Sequence, residues 1–241
     1  MTTGDMTQHR SAGVSPAVSG ASRPRFGEVT IRDRGRLPHW EAEGGVYFVT
    51  FRLADSLPQP IVESFTAERN DIVKTAERLG REISPSERKR LGELFSKRIE
   101  SYLDAGTGAC HLSDPAIAEL VASAMGHFDG KRYRLFAWCI MPNHVHVVVK
   151  PFPSYPLSQV LHSWKSYSAK KANRILRAKG AFWQREYYDR LIRDEDEFHQ
   201  VVQYVLVNPI RAQLKAWRRV WVCGQDAHTT AGGDAGATPG L

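Results

Sequence analysis

Apolar positions along the chain change rhythm several times, and each change marks an element. The run GVYFVTFRL, ending at Leu53, is aromatic and β-branched with few polar breaks, the pattern of a buried strand. Residues 60–104 predict two helices. The second opens at Ser84-Pro85-Ser86-Glu87, where a serine cap, a proline in the first turn and a glutamate three residues past the cap form a capping box. A further helix begins at Ser113-Asp114-Pro115, carries Ile117, Leu120, Val121, Ala124 and Phe128 at helical spacing, and closes near Gly130. Two strands follow, RYRLFAWCIM and HVHVVVKP, joined tightly through Pro142-Asn143. Then come a long basic helix over about 157–178 ended by Gly180, a short strand around REYYDRLI, and a helix from about Asp194 to Asn208 that Pro209 stops.

This order predicts an α+β fold of the ferredoxin-like, split β-α-β kind, an antiparallel sheet with helices on one face. Residues 60–104 read as a helical insertion on it. Residues 1–28 and 223–241 are rich in small and polar residues without periodicity and are expected to be disordered, leaving 29–222 as one domain. The chain's three cysteines, Cys110, Cys139 and Cys223, are widely spaced and form no CxxC pair, so neither a disulfide framework nor a zinc ribbon is indicated. No signal core or membrane span is visible, and a cytoplasmic, nucleoid-associated protein is expected.

Charge sharpens the picture. The chain's net charge is +7, yet from Asp129 to Arg193 alone thirteen Lys or Arg face only three acids. A polyanion such as nucleic acid suits that stretch, although a solvated basic face would also account for it.

The sharpest local signal is His144-Val145-His146. Residues two apart on a strand point to one face, so both imidazoles project together, which is half of a metal site. On the last helix, Phe198, Val201, Val202 and Val205 form a core-facing stripe, and Tyr204 and Asn208, four apart, share a face beside it. A phenol and a carboxamide could there reach the histidines, and an amide oxygen with two imidazoles suits Mg²⁺ or Mn²⁺. Ordinary roles stay open: a helix-end asparagine before Pro209, a partly buried helix tyrosine.

Taken in order, the strings LPHWEAEGGVYFVTFRLADSLP, AWCIMPNHVHVVVKP, LHSWKSYSAKKAN, FWQREYYDRLIRDEDEF and VQYVLVNPIRAQL resemble the REP-associated tyrosine transposases, relatives of the single-tyrosine HUH transposases of bacterial insertion sequences. The similarity spans roughly residues 34–216. It implies that His144 and His146 are metal ligands with Asn208 as the third, and that Tyr204 is the nucleophile, in a string where Val205 replaces a common isoleucine. Tyr187 and Tyr188, in a predicted strand, rank second. The implied reaction is transesterification: the phenol attacks a scissile phosphate, forms a 5′-phosphotyrosine and releases a 3′-hydroxyl. Bond energy is conserved for rejoining, consistent with the lack of a Walker motif. A phenol with a pKa of ~10 needs help losing its proton, and the sequence does not show what takes it.

The implied partner is single-stranded DNA folded into REP- or BIME-like hairpins, bound by a monomer or a homodimer. Lys165, Lys170, Lys171, Arg174 and Arg177 of the basic helix are placed to neutralise phosphates, with Trp164 and Tyr167 as stacking candidates beside a core-packing alternative. Trp183, Gln184 and Arg185 form a second patch, again with core packing open for Trp183. Arg211, Lys215, Arg218 and Arg219 on one side and Arg32, Arg34 and Arg36 on the other extend the charge. A catalytically silent hairpin-binding protein derived from a transposase is the competing reading, and needs none of His144, His146, Tyr204 and Asn208. A metal-dependent hydrolase using the HxH pair would need more carboxylates near the strands than the sequence offers.

Overall fold

The computed structural model describes residues 30–33, 38–42, 44–84, 86–87, 90, 99–214, 217 and 219–224. Arg34, Arg36, Lys215, Arg218 and most of both expected disordered ends lie outside the described residues.

In chain order the elements are β1 (Thr30–Asp33), β2 (Pro38–Glu41), β3 (Val46–Arg52), α1 (Gln59–Arg78), α2 (Ile99–Asp104), α3 (Pro115–Gly126), β4 (Tyr133–Ile140), β5 (His144–Pro151), α4 (Leu157–Leu176), β6 (Tyr188–Ile192), α5 (Glu195–Arg211) and β7 (Val220–Val222). β1 and β2 pair as a two-stranded ribbon. The other five strands form one antiparallel sheet in the order β6-β3-β5-β4-β7. Its first four strands have the spatial order of a split β-α-β ferredoxin-like sheet, so the α+β expectation holds. β7 and the β1–β2 ribbon are additions that short, weakly patterned segments did not announce.

Capping follows the sequence closely. Asp114 accepts from Ala116 N at 2.8 Å ahead of Pro115, and Asp194 accepts from Glu197 N at 2.8 Å. The box at Ser84 also forms: Ser84 N donates to Glu87 Oε2 at 2.8 Å and Glu87 N to Ser84 Oγ at 3.3 Å. Two helix ends differ from expectation. α4 closes on Arg177 in the left-handed conformation at φ 50°, three residues before Gly180. α5 runs through Pro209 to Arg211, since a proline removes one backbone donor and its late position leaves only the last turn to disturb.

The sheet separates two apolar layers. One joins Val49 and Phe51 of β3 and Val145, Val147 and Val149 of β5 to Ile117, Val121 and Met125 of α3 and to Leu161 and Trp164 of α4. The other joins Phe48, Val148, Ala137 and Cys139 to Val201 and Val205 of α5. Helices on one face thus describes α3 and α4, while α5 takes the opposite face. A register shift between Leu135 and Ala137 turns Ala137 and Cys139 toward α5. The insertion helices hold a small core of their own, made of Leu57, Phe65, Ile99 and Leu103.

Candidate active site

β5 is the middle strand of the sheet, and its alternation decides what faces α5. Val145, Val147 and Val149 go to the α3–α4 layer, so His144 and His146 go to the other, where both are fully buried. β3 supplies a matching polar pair: Thr50 stands opposite His146 and Arg52 opposite His144. These four residues form a polar quartet in an otherwise apolar layer.

Hydrogen bonds fix the imidazoles. Asn143 donates through Nδ2 to Thr107 O at 2.9 Å, which turns its Oδ1 to His144 Nδ1 at 2.7 Å. His144 Nδ1–H is then the donor, and His144 Nε2 carries a lone pair. Thr50 Oγ1 lies 2.8 Å from His146 Nδ1. A hydroxyl both donates and accepts, so His146 can offer either a proton or a lone pair at Nε2. The two Nε2 atoms converge at 3.0 Å. Burial drives both imidazoles toward the neutral form, assisted at His144 by His146 and by the Arg52 guanidinium, and His146 is lowered to about 3.

Tyr204 comes to this pair from α5. Its ring meets His146 at 5.5 Å between centroids and Phe48 at 5.7 Å, both edge-on, and Arg211 lies over it at 5.2 Å. Burial first, then the Glu100 and Asp104 carboxylates, push its phenol well above the ordinary value. One turn on, Asn208 is buried and its Oδ1 has no hydrogen-bond partner. Tyr188 lies on the same sheet face, edge-on to Phe48 at 6.5 Å. Tyr187 packs against the α3–α4 layer instead.

These residues fit a divalent cation. Two nitrogens at right angles, each ~2.1 Å from a six-coordinate ion, stand ~3.0 Å apart, which matches the separation of the two Nε2 atoms. Asn208 Oδ1 is a buried oxygen donor without a partner. Among the described residues no three His, Cys, Asp or Glu side chains gather to hold a metal; a carboxamide oxygen is a further donor type.

The DNA-facing expectations divide. Lys170, Lys171, Arg174, Arg177, Arg185 and Arg211 are exposed, as is Tyr167. Trp164 and Trp183 are corrected: both are buried, with Trp164 Nε1 donating to Tyr133 Oη at 2.9 Å and Trp183 Nε1 to Ser168 Oγ at 2.9 Å. An indole buried on both faces offers no platform to a base. Lys165 is engaged too, its Nζ donating to Gln184 O at 2.8 Å and Arg185 O at 2.7 Å; burial lowers it to about 8. Gln184 N in turn donates to Arg52 O at 2.9 Å, so Lys165 and Gln184 tie α4 to the end of β3.

Four residues near the site escaped the sequence reading. Thr50 and Arg52 carried a signal, being polar residues two apart in an apolar strand, as His144 and His146 are. Arg52 is buried, and desolvation lowers it to about 10 against the pull of Glu186. Glu100 and Asp104 carried none, since a short helix inside an insertion gives no clue to its docking.

The site is thus a buried two-histidine pair on an antiparallel sheet, with a tyrosine and an amide from one helix. Residues 113–208, a span that includes His144, His146, Tyr204 and Asn208, match the family model described as "Transposase IS200 like". Among solved structures, a REP-associated tyrosine transposase bound to a REP hairpin aligns at 16% identity over 76% of this chain and 73% of its own, TM-score 0.34. A candidate transposase from Deinococcus radiodurans aligns at 14% identity over 67% of this chain and 88% of its own, TM-score 0.27. No curated protein matches the chain.

Proposed function

We propose that this chain is a metal-dependent endonuclease and strand transferase that nicks and rejoins single-stranded DNA at hairpin repeats through a 5′-phosphotyrosine on Tyr204. The observation that carries the proposal is the convergence of His144 and His146 at 3.0 Å between Nε2 atoms beside the Tyr204 ring. The family match over residues 113–208 supports a DNA-processing role, and enzymes of this family are generally dependent on a divalent metal. The motif strings support the narrower placement among REP-associated members, and with it a hairpin partner.

His144, His146 and Asn208 would hold the cation, which when bound supplies Lewis-acid stabilisation of charge on the scissile phosphate. The protein does the rest. α5 aims the phenol from beside His146, the buried layer around Phe48 and Val205 excludes bulk water from the imidazoles, and Arg52 places a desolvated cation next to His144, where it would attract a phosphate. The exposed Lys170, Lys171 and Arg174 would neutralise the backbone of the bound strand.

The test is incubation of the protein with Mn²⁺ or Mg²⁺ and labelled single-stranded hairpin repeats, resolving covalent protein–DNA adducts on a denaturing gel. A metal-dependent adduct that Tyr204→Phe abolishes is expected. Tight hairpin binding with no adduct under either metal would overturn the catalytic reading in favour of a silent hairpin-binding protein.

A further inference from the structure

β3 carries one charge into the layer that holds the imidazoles. Thr50 and Arg52 stand opposite His146 and His144 in the β3–β5 ladder, and directly opposed residues on paired strands project to the same face. Arg52 is only 8% exposed. Its backbone is braced from two sides: Gln184 N donates to Arg52 O at 2.9 Å, and the neighbouring Leu53 N donates to Asn143 O at 2.9 Å. Lys165 holds the first brace in place through Gln184 O at 2.8 Å and Arg185 O at 2.7 Å.

The guanidinium itself is left without a mate. Among the described residues no hydrogen bond or ion pair engages it, and Glu186 attracts it without forming an ion pair. Lys165 differs, since its ammonium is already taken by two carbonyls. A buried cation ordinarily keeps an anion beside it, because desolvating an unpaired charge is costly. The Arg52 nitrogens are not among the fully sealed polar atoms that lack a partner, so the guanidinium still opens to solvent. Burial lowers it to about 10, which leaves it charged at neutral pH.

We propose that Arg52 is a substrate-binding residue: its guanidinium takes the non-bridging oxygens of one phosphodiester of the bound strand, beside His144. This rests on the strand-transfer reading above and names the group that seats the phosphate. The planar fork matches two oxygens of one phosphate, and the braced backbone presents it with little left to order on binding. The contact differs in kind from the exposed cations of α4. Those meet the strand on an open surface, whereas one guanidinium in a crevice meets a single linkage and positions it without reading a base.

The experiment runs in EDTA, so that binding is measured without strand cleavage. Hairpins with single-stranded flanks carry an uncharged methylphosphonate at one linkage at a time, and their affinities are measured for wild type, Arg52→Met and Arg52→Lys. Melting in sodium phosphate and in sodium chloride of equal ionic strength is followed in parallel. For wild type we expect one linkage at which neutralisation weakens binding by about tenfold or more. Arg52→Met should weaken the natural hairpin by a similar factor and be indifferent to neutralisation at that linkage, while Arg52→Lys keeps the sensitivity at lower affinity. Arg52→Met should also melt no lower than wild type, since it removes an unpaired buried charge, and phosphate should raise the wild-type melting temperature more than that of Arg52→Met. The same pattern across linkages in wild type and Arg52→Met would overturn the assignment and leave the nuclease reading intact. So would an Arg52→Met protein that melts far below wild type, which would make the guanidinium a part of the fold. Should wild type bind no hairpin, the strand-transfer reading falls, and the phosphate melts decide the anion site: a shift confined to wild type supports it, and an equal shift in both proteins overturns it.

Discussion

Thr50 Oγ1 sits 2.8 Å from His146 Nδ1 across the β3–β5 ladder, and that contact makes His146 the adjustable member of the imidazole pair. His144 is locked by Asn143 with its Nε2 lone pair presented. His146 can present a lone pair only when its Nδ1–H donates to Thr50.

Thr50→Val removes the acceptor while keeping a β-branched residue of similar shape on the strand. Outer partners of this kind are typically worth 10- to 100-fold in metal affinity, so Mn²⁺ affinity, followed by calorimetry or by the Mn²⁺ resonance signal, should fall by about that factor. Unchanged affinity would show that the hydroxyl does not orient the ring for a cation.

On the proposed reading, Asn208 sets stability against metal binding. Its buried Oδ1 has no hydrogen-bond partner, a situation that costs about 1–3 kcal/mol. Asn208→Leu should therefore leave the melting temperature unchanged or higher, while Mn²⁺ affinity drops by about tenfold or more. A large fall in stability with Mn²⁺ affinity retained would assign the residue to packing.

The exposed cations of α4 should act through salt. Each phosphate neutralised on single-stranded DNA contributes ~0.7 to the log–log salt slope. Replacing Lys170, Lys171 and Arg174 together by alanine should flatten that slope by about two and weaken all sequences alike. An unchanged slope in a hairpin titration would place the strand elsewhere.

Glu100 also predicts a pH-dependent stability. Its carboxyl is raised on folding, chiefly by burial, so the folded state binds its proton more tightly than the unfolded state does. The stability this contributes is complete below the unfolded value, near 4.5, and is lost as pH rises through the folded value. Glu100→Gln, which stays neutral, should melt higher than wild type at neutral pH and lose that advantage in acid. A thermal-melt series across pH checks the sign.

Much of this was legible in the sequence where pattern and burial coincide. β5 runs over His144–Pro151 as the alternating string HVHVVVKP suggests, and Asp114-Pro115 opens α3 by ordinary capping chemistry. Long-range docking was not legible. Nothing local distinguishes a tryptophan that packs from one that stacks, and Trp164 and Trp183 fall inside the core because α4 and the loop before β6 close over Phe51. For the same reason Glu100 reaches Tyr204 only once the insertion folds back, across a separation no periodicity spans. α5 outran its predicted end because a proline in the last turn breaks few bonds.

The alternation of β5 has a consequence for how the chain finds its fold. The strand is buried on both sides, so hydrophobicity alone would tolerate a slip of one residue against β3. The imidazoles forbid it. A slipped strand would thrust His144 and His146 among Leu161, Trp164 and Val121, stripped of Asn143 and Thr50, and leave valines where Tyr204 expects nitrogen. The two imidazoles are thus also alignment marks that fix the register of β5 against β3.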